Sequence, residues 1–281
     1  MENQQLRISG KTKGNVRLRR RKGKAMRPFF TSIQFPKYFT RAVAALALLL
    51  TAIMAMAFST EPWKGDYKSW TNDEVQKILY ESPWVKMVEV SAPWLKGNTQ
   101  YLTPLPVDCD GRPDVNRGDR TPASWALGNN ESIVIYQVTW QSAHTVRAAK
   151  LREATLCGRG NAERGEEILE QEQDNYVITV HSPDMTPFKG MDEDALIKAT
   201  SLWPKKTSKK ISPETVVISR YNREGGTPYM LTFKFPRKSD NGEPIISSDE
   251  KEVEFSSQIG KFTLKTKFQM QKMAVKNGPD L

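Results

Sequence analysis

The residues best suited to do chemistry in this 281-residue chain lie in one loop, Asp108-Cys109-Asp110-Gly111-Arg112-Pro113-Asp114-Val115-Asn116-Arg117-Gly118-Asp119. Asp108, Asp110, Asp114, Asn116 and Asp119 place several oxygens in a glycine-bearing segment. Ca²⁺ takes about six to eight such ligands, so calcium is the one metal considered, and no other cofactor is expected. The spacing departs from an EF-hand loop, because Arg112 and Pro113 stand at the fifth and sixth positions counted from Asp108. The competing expectation is a solvated turn whose Asp and Asn side chains bind local backbone groups. Asp108, Asp110 and Asp114 are also the carboxylates an extracytoplasmic enzyme could use for acid–base work.

Cys157 and His181 could form a thiolate–imidazole pair if the fold brought them within about 3 Å, beside a third orienting group. No local signature surrounds either. With His144 and His181 the only histidines, a three-histidine metal site is excluded. Ser142-Ala143-His144 lacks the glycines of a nucleophile elbow. No catalytic residue is assigned. Cys109 and Cys157 pair as a disulfide or stay as separate thiols; sequence alone leaves both open. Trp63, Trp70, Trp84 and Trp94 cluster in sequence. They are candidates for a partner or glycan surface, against a tryptophan-anchored core around the first helix.

These residues are set in place by what precedes them. Ala42–Phe58, AVAALALLLTAIMAMAF, is apolar on every face and makes about 25 Å of helix against a hydrocarbon core of about 30 Å. Met1–Arg41 carries twelve Lys/Arg and one Glu, leaving the remainder nearly neutral although the whole chain is formally +10. That asymmetry is the positive-inside pattern. It implies a basic cytoplasmic tail (1–41), a transmembrane anchor or signal segment (42–58), a juxtamembrane linker (59–69) and an extracytoplasmic domain (70–281). The domain is expected in the periplasm, held at the inner membrane. The alternative is a secreted or periplasmic protein cleaved near Ala57, where Ala55-Met56-Ala57 has the small-x-small form. A chain starting at Met26 would have an ordinary signal layout; peptides from Gln4–Arg19 in cells would exclude that start. Arg17–Lys24, RLRRRKGK, can bind phosphates non-specifically, but topology accounts for its charge and nucleic acid is not expected.

Beyond the apolar run, Thr71-Asn72-Asp73-Glu74 is a capping box opening a helix with Val75, Ile78 and Leu79 inward, stopped at Ser82-Pro83. Strands are predicted at Val85–Ser91, near Gln100–Leu102, at Ser132–Trp140, Tyr176–Val180, Glu214–Arg220, Pro228–Phe235, Lys251–Phe255 and Lys261–Phe268. Helices are predicted at Ser142–Leu156, Asn161–Gln173 and Met191–Leu202, with a last turn over Met270–Val275. Residues 92–130, rich in Pro, Gly and Asp, read as a long surface excursion. The fold class is α+β: one N-terminal transmembrane or signal helix, then a mostly antiparallel sheet with a few helices on one face.

Trp70-Thr71…Glu74-Val75…Ile78-Leu79…Ser82-Pro83-Trp84…Lys86 resembles the W-T-x-x-E-V-x-x-I-L-x-x-S-P-W-x-K opening of a set of exported bacterial proteins common in acidobacteria. Val138…Trp140-Gln141-Ser142-Ala143…Arg147…Ala149 and Phe233…Phe235-Pro236-Arg237 fit the same set, and Phe255…Phe268 fits loosely. Val85 stands where alanine is usual. The resemblance implies export and a single α+β domain, and brings no activity or catalytic residue. The expected function is that of a membrane-anchored or exported envelope component, non-enzymatic, binding a partner protein.

Overall fold

The computed structural model describes residues 61–96, 101–110, 112, 132–159, 162–220, 226–275 and 278–281. All belong to one compact unit, Phe58–Leu281. The apolar run at 42–58 lies outside the described residues. No helix among the described residues is long and apolar enough to cross a membrane.

The fold is mixed α+β and mostly antiparallel, with four α-helices among the described residues. Elements run α1 (Asn72–Glu81), β1 (Val85–Ser91), β2 (Tyr101–Leu102), β3 (Ile133–Trp140), α2 (His144–Leu156), α3 (Ala162–Glu170), β4 (Asn175–His181) and α4 (Glu193–Ala199). Then come β5 (Thr200–Pro204), β6 (Thr215–Arg220), β7 (Pro228–Pro236), β8 (Glu252–Ile259), β9 (Phe262–Gln269), β10 (Ala274–Val275) and β11 (Gly278–Pro279). The larger sheet has the order β1-β3-β4-β7-β6, with β2 added in parallel beside the start of β3. A second sheet has the order β5-β8-β9.

The capping box forms: the Thr71 amide donates to Glu74 Oε2 (2.8 Å) and the Glu74 amide donates to Thr71 Oγ1 (3.3 Å). Val75, Ile78 and Leu79 are buried together, as their spacing predicts. β3 is an apolar interior strand of the larger sheet, between β1 and β4. Its Val134, Tyr136, Val138 and Trp140 point to one face, continued across the register by Ile178 and Val180 of β4 and by Leu231 and Phe233 of β7.

That face is covered by the second sheet, where a single sheet with helices on one face was expected. Tyr136 meets Phe262 at 5.4 Å between ring centroids, Trp140 meets Phe268 at 5.1 Å, and Phe233 meets Phe255 at 5.6 Å, all edge-to-face. Burying each such ring is worth roughly 2–3 kcal/mol of transfer free energy. α1 and α2 pair with each other, with α3 against α2. The chain turns between Gly260 neighbours with φ +58° at Gly260, a conformation that favours glycine.

A second difference falls at Met191–Leu202, predicted as one helix. The helix is only Glu193–Ala199, and the chain passes at Thr200 straight into β5. Leu202 pairs with Phe255, and Pro204 ends an outer strand, where proline is tolerated. Residues 61–69, expected as a linker, form two short 3₁₀ turns, Pro62–Lys64 and Tyr67–Ser69, and Trp63 and Tyr67 rest on the core.

Candidate functional site

The 3₁₀ turns at 62–69 stand opposite the start of α2 and leave a cleft of about 620 Å³ between them. Trp63, Tyr67 and Trp70 form one wall, Thr145 and Ala148 the floor, and Ala274 and Val275 the far side. Lys64, Asp66 and His144 add polar groups. Each wall is held from behind. Trp70 is buried and its Nε1 donates to the Pro62 carbonyl (2.8 Å), while its own carbonyl accepts from Arg152 Nε (2.9 Å). Trp63 stands edge-on to buried Trp84 at 5.7 Å. Burial, reinforced by the Glu166 carboxylate, raises the Tyr67 phenol above its ordinary pKa.

The far side is fastened by Asp280. Its carboxylate accepts from the His144 amide (2.6 Å) and the Thr145 amide (2.8 Å), capping α2 where Ala143 supplies no side-chain cap. Its backbone carbonyl accepts from Trp84 Nε1 (2.8 Å), and its amide donates to the Met273 carbonyl (2.9 Å). Asp280 thus ties the turn before β1, the start of α2 and the 3₁₀ turn after β9 together. Nearby, the Arg147 guanidinium donates to the Ile168, Leu169 and Gln171 carbonyls, which close the end of α3.

The tryptophans divide. Trp70 and Trp84 are core residues, so neither presents a ring face, and the four-ring surface is corrected to two half-buried rings, Trp63 and Trp94. Those two belong to different places: Trp94 Nε1 donates to Asp184 (2.7 Å) and its ring meets Phe262 at 5.9 Å. Of these two, Trp63 lines the cleft and Trp94 does not.

At the other end of α2, Cys109 and Cys157 are joined, with Cα atoms 5.1 Å apart. Cys157 is therefore no thiolate, and the Cys157–His181 pair is set aside. His181 lies on β4 opposite Gln137 and Met230, and burial pushes its imidazole pKa down. In the oxygen-rich loop, Asp108 Oδ1 accepts from the Asp110 amide (2.9 Å) and the Arg112 amide (2.8 Å), the geometry of a self-capped turn. Asp110 lies 3.5 Å from Arg112. Asp114, Asn116 and Asp119 lie outside the described residues. Among the described residues no group of three His, Cys, Asp or Glu side chains is placed to hold a metal.

His144, Thr145, Ala148, Ala274 and Val275 had no distinguishing signal in the sequence. They meet Trp63 and Tyr67 only because α2 and the last strands converge on the 3₁₀ turns. Comparison with protein-family models, with curated proteins and with solved structures gives no match to this chain.

Proposed function

We propose that the chain is an envelope component, anchored in or exported across the inner membrane through residues 42–58. Its α+β domain binds a partner protein in the aromatic cleft and catalyses no reaction. The observation that carries this reading is the cleft itself: about 620 Å³, walled by Trp63, Tyr67 and Trp70. Concave sites of this size, mostly apolar with a few polar groups, suit the aromatic and aliphatic anchors of a binding partner. Its first wall begins directly after the apolar run in sequence, which favours a partner near the membrane. The Cys109–Cys157 link favours an oxidising compartment, because such bonds persist outside the cytosol. The resemblance to exported acidobacterial-type proteins points the same way.

The test is a photo-crosslinking residue at Lys64 in the full-length chain, in cells. The expected result is an adduct with one envelope protein, lost in Val275→Glu, a change at an exposed cleft residue. No protein adduct, or adducts unaffected by Val275→Glu, would overturn the proposal. A glycan reading has one supporting observation, the two half-buried rings of Trp63 and Tyr67 in the same cleft. Quenching of tryptophan fluorescence by envelope glycan fragments, abolished in Trp63→Ala, would favour it instead.

A further inference from the structure

The outer face of the β5-β8-β9 sheet is a separate surface of different chemistry. Register places Trp203, Glu254 and Lys267 side by side across the three strands, with Ser201, Ser256 and Lys265 as the next row. Lys205 Nζ lies 3.2 Å from Glu254 Oε2, and Lys265 Nζ lies 2.9 Å from its Oε1, so two ammoniums share one buried carboxylate. Burial alone would raise the Glu254 pKa, but hydrogen bonds from Lys265 and Lys205 outweigh it and hold the carboxyl low. Lys267 pairs with Glu252 at 3.0 Å. Glu250, also buried, is spent on backbone: it accepts from the amides of Lys206 (3.0 Å), Lys251 (2.9 Å) and Glu252 (3.3 Å). The acids are thus consumed inside the sheet. Lys209, Lys210 and Lys251 remain exposed, and Lys210 stands 5.7 Å from the Trp203 ring centroid.

We infer that this lysine face docks on the anionic headgroup surface of a lipid bilayer. The occupant follows from shape and charge. The outward side chains of β5, β8 and β9 form a flat surface on which Lys265 and Lys267 are matched by Glu254 and Glu252, and the exposed lysines Lys209, Lys210 and Lys251 stand in the segments that follow β5 and precede β8. A flat face bordered by these three ammoniums complements a plane of phosphodiesters, to which basic residues near the surface are attracted. Single-stranded nucleic acid would want open aromatic platforms. The one aromatic ring in these rows, Trp203, is covered by Lys205 Nζ at 3.4 Å from its centroid. This inference is independent of the aromatic cleft.

The test uses the purified full chain with phosphatidylcholine vesicles, with or without phosphatidylglycerol, read by hydrogen exchange in peptides covering 203–210 and 262–269. The basic tail draws the chain to phosphatidylglycerol vesicles whatever the domain does, so the readout is confined to these segments and decided by the domain's own lysines. Protection that appears only with phosphatidylglycerol and is lost in Lys209→Gln/Lys210→Gln/Lys251→Gln, at roughly fivefold in affinity per lysine, supports the inference, and protection that persists in this triple variant overturns it. Equal exchange with both vesicles overturns it. So does protection by heparin without protection by vesicles, which would assign a soluble polyanion. Unchanged lipid response with self-association of the triple variant also overturns it, because the lysines would then serve only to keep sheet edges apart.

Discussion

Replacing both Cys109 and Cys157 by serine removes the one covalent cross-link the structure contains among the described residues. The two positions are 48 residues apart, and the closed loop spans β3 and all of α2. The chain-entropy relation for a loop of that length gives about 4 kcal/mol of stabilisation, acting through the unfolded state. For a domain of this size each kcal/mol shifts Tm by about 2–4 °C, so the double variant should melt about 8–16 °C lower. Cys109 is exposed and Cys157 half-buried, so the serine hydroxyls add little further cost. The assay is thermal unfolding of the full chain in detergent, followed by far-ultraviolet circular dichroism. Dithiothreitol added to the wild type should reproduce the same fall and have no effect on the variant. In a reducing compartment the folded state would be disfavoured by about a thousandfold relative to the oxidised protein, which links the bond to location. A drop below about 2 °C would refute this reasoning; the loop closed by the bond would then already be ordered without it.

Asp280→Ala leaves the His144 and Thr145 amides without their acceptor at the start of α2 and should cost about 2–3 kcal/mol. Asp280→Asn, which keeps one oxygen, should cost less, and the urea midpoint distinguishes them. The Tyr136 hydroxyl is buried without a partner among the described residues, so Tyr136→Phe should hold or raise stability by up to about 1 kcal/mol, read as Tm. His181 has a pKa depressed by burial, so the unfolded chain binds its proton first. Its contribution is unchanged above the unfolded value of about 6.5, and stability is lost as pH falls from there to the lower folded pKa. The loss between neutral pH and pH about 5 should be smaller in His181→Gln than in the wild type, measured as the difference in Tm.

Local signals were legible and non-local ones were not. β1 runs Val85–Ser91 and β3 runs Ile133–Trp140, both as their β-branched and aromatic content predicts. The Thr71–Glu74 box opens α1 because every contact it needs lies within four residues. Thr200–Leu202 reads as the end of a helix because Leu196, Ile197 and Leu202 suit either period, and Pro204 closes a helix and an outer strand equally well. Only pairing with β8, some 55 residues away, decides it. The division into two sheets depends on Phe262 and Phe268 finding Tyr136 and Trp140, which periodicity cannot show. The candidate site was half legible: Trp63 and Trp70 were singled out, but Trp70 is buried and fixed to the Pro62 carbonyl. Asp280, which fastens the far side, carried no signal beyond being an acid before the last residue.

Protease treatment of intact spheroplasts, followed by detection of the domain and of the 1–41 tail, tests the domain's location most directly. The proposal predicts digestion of the domain from outside, or its release into the medium if the leader is cleaved, while any attached tail stays protected. A domain that survives until the spheroplasts are lysed would contradict it.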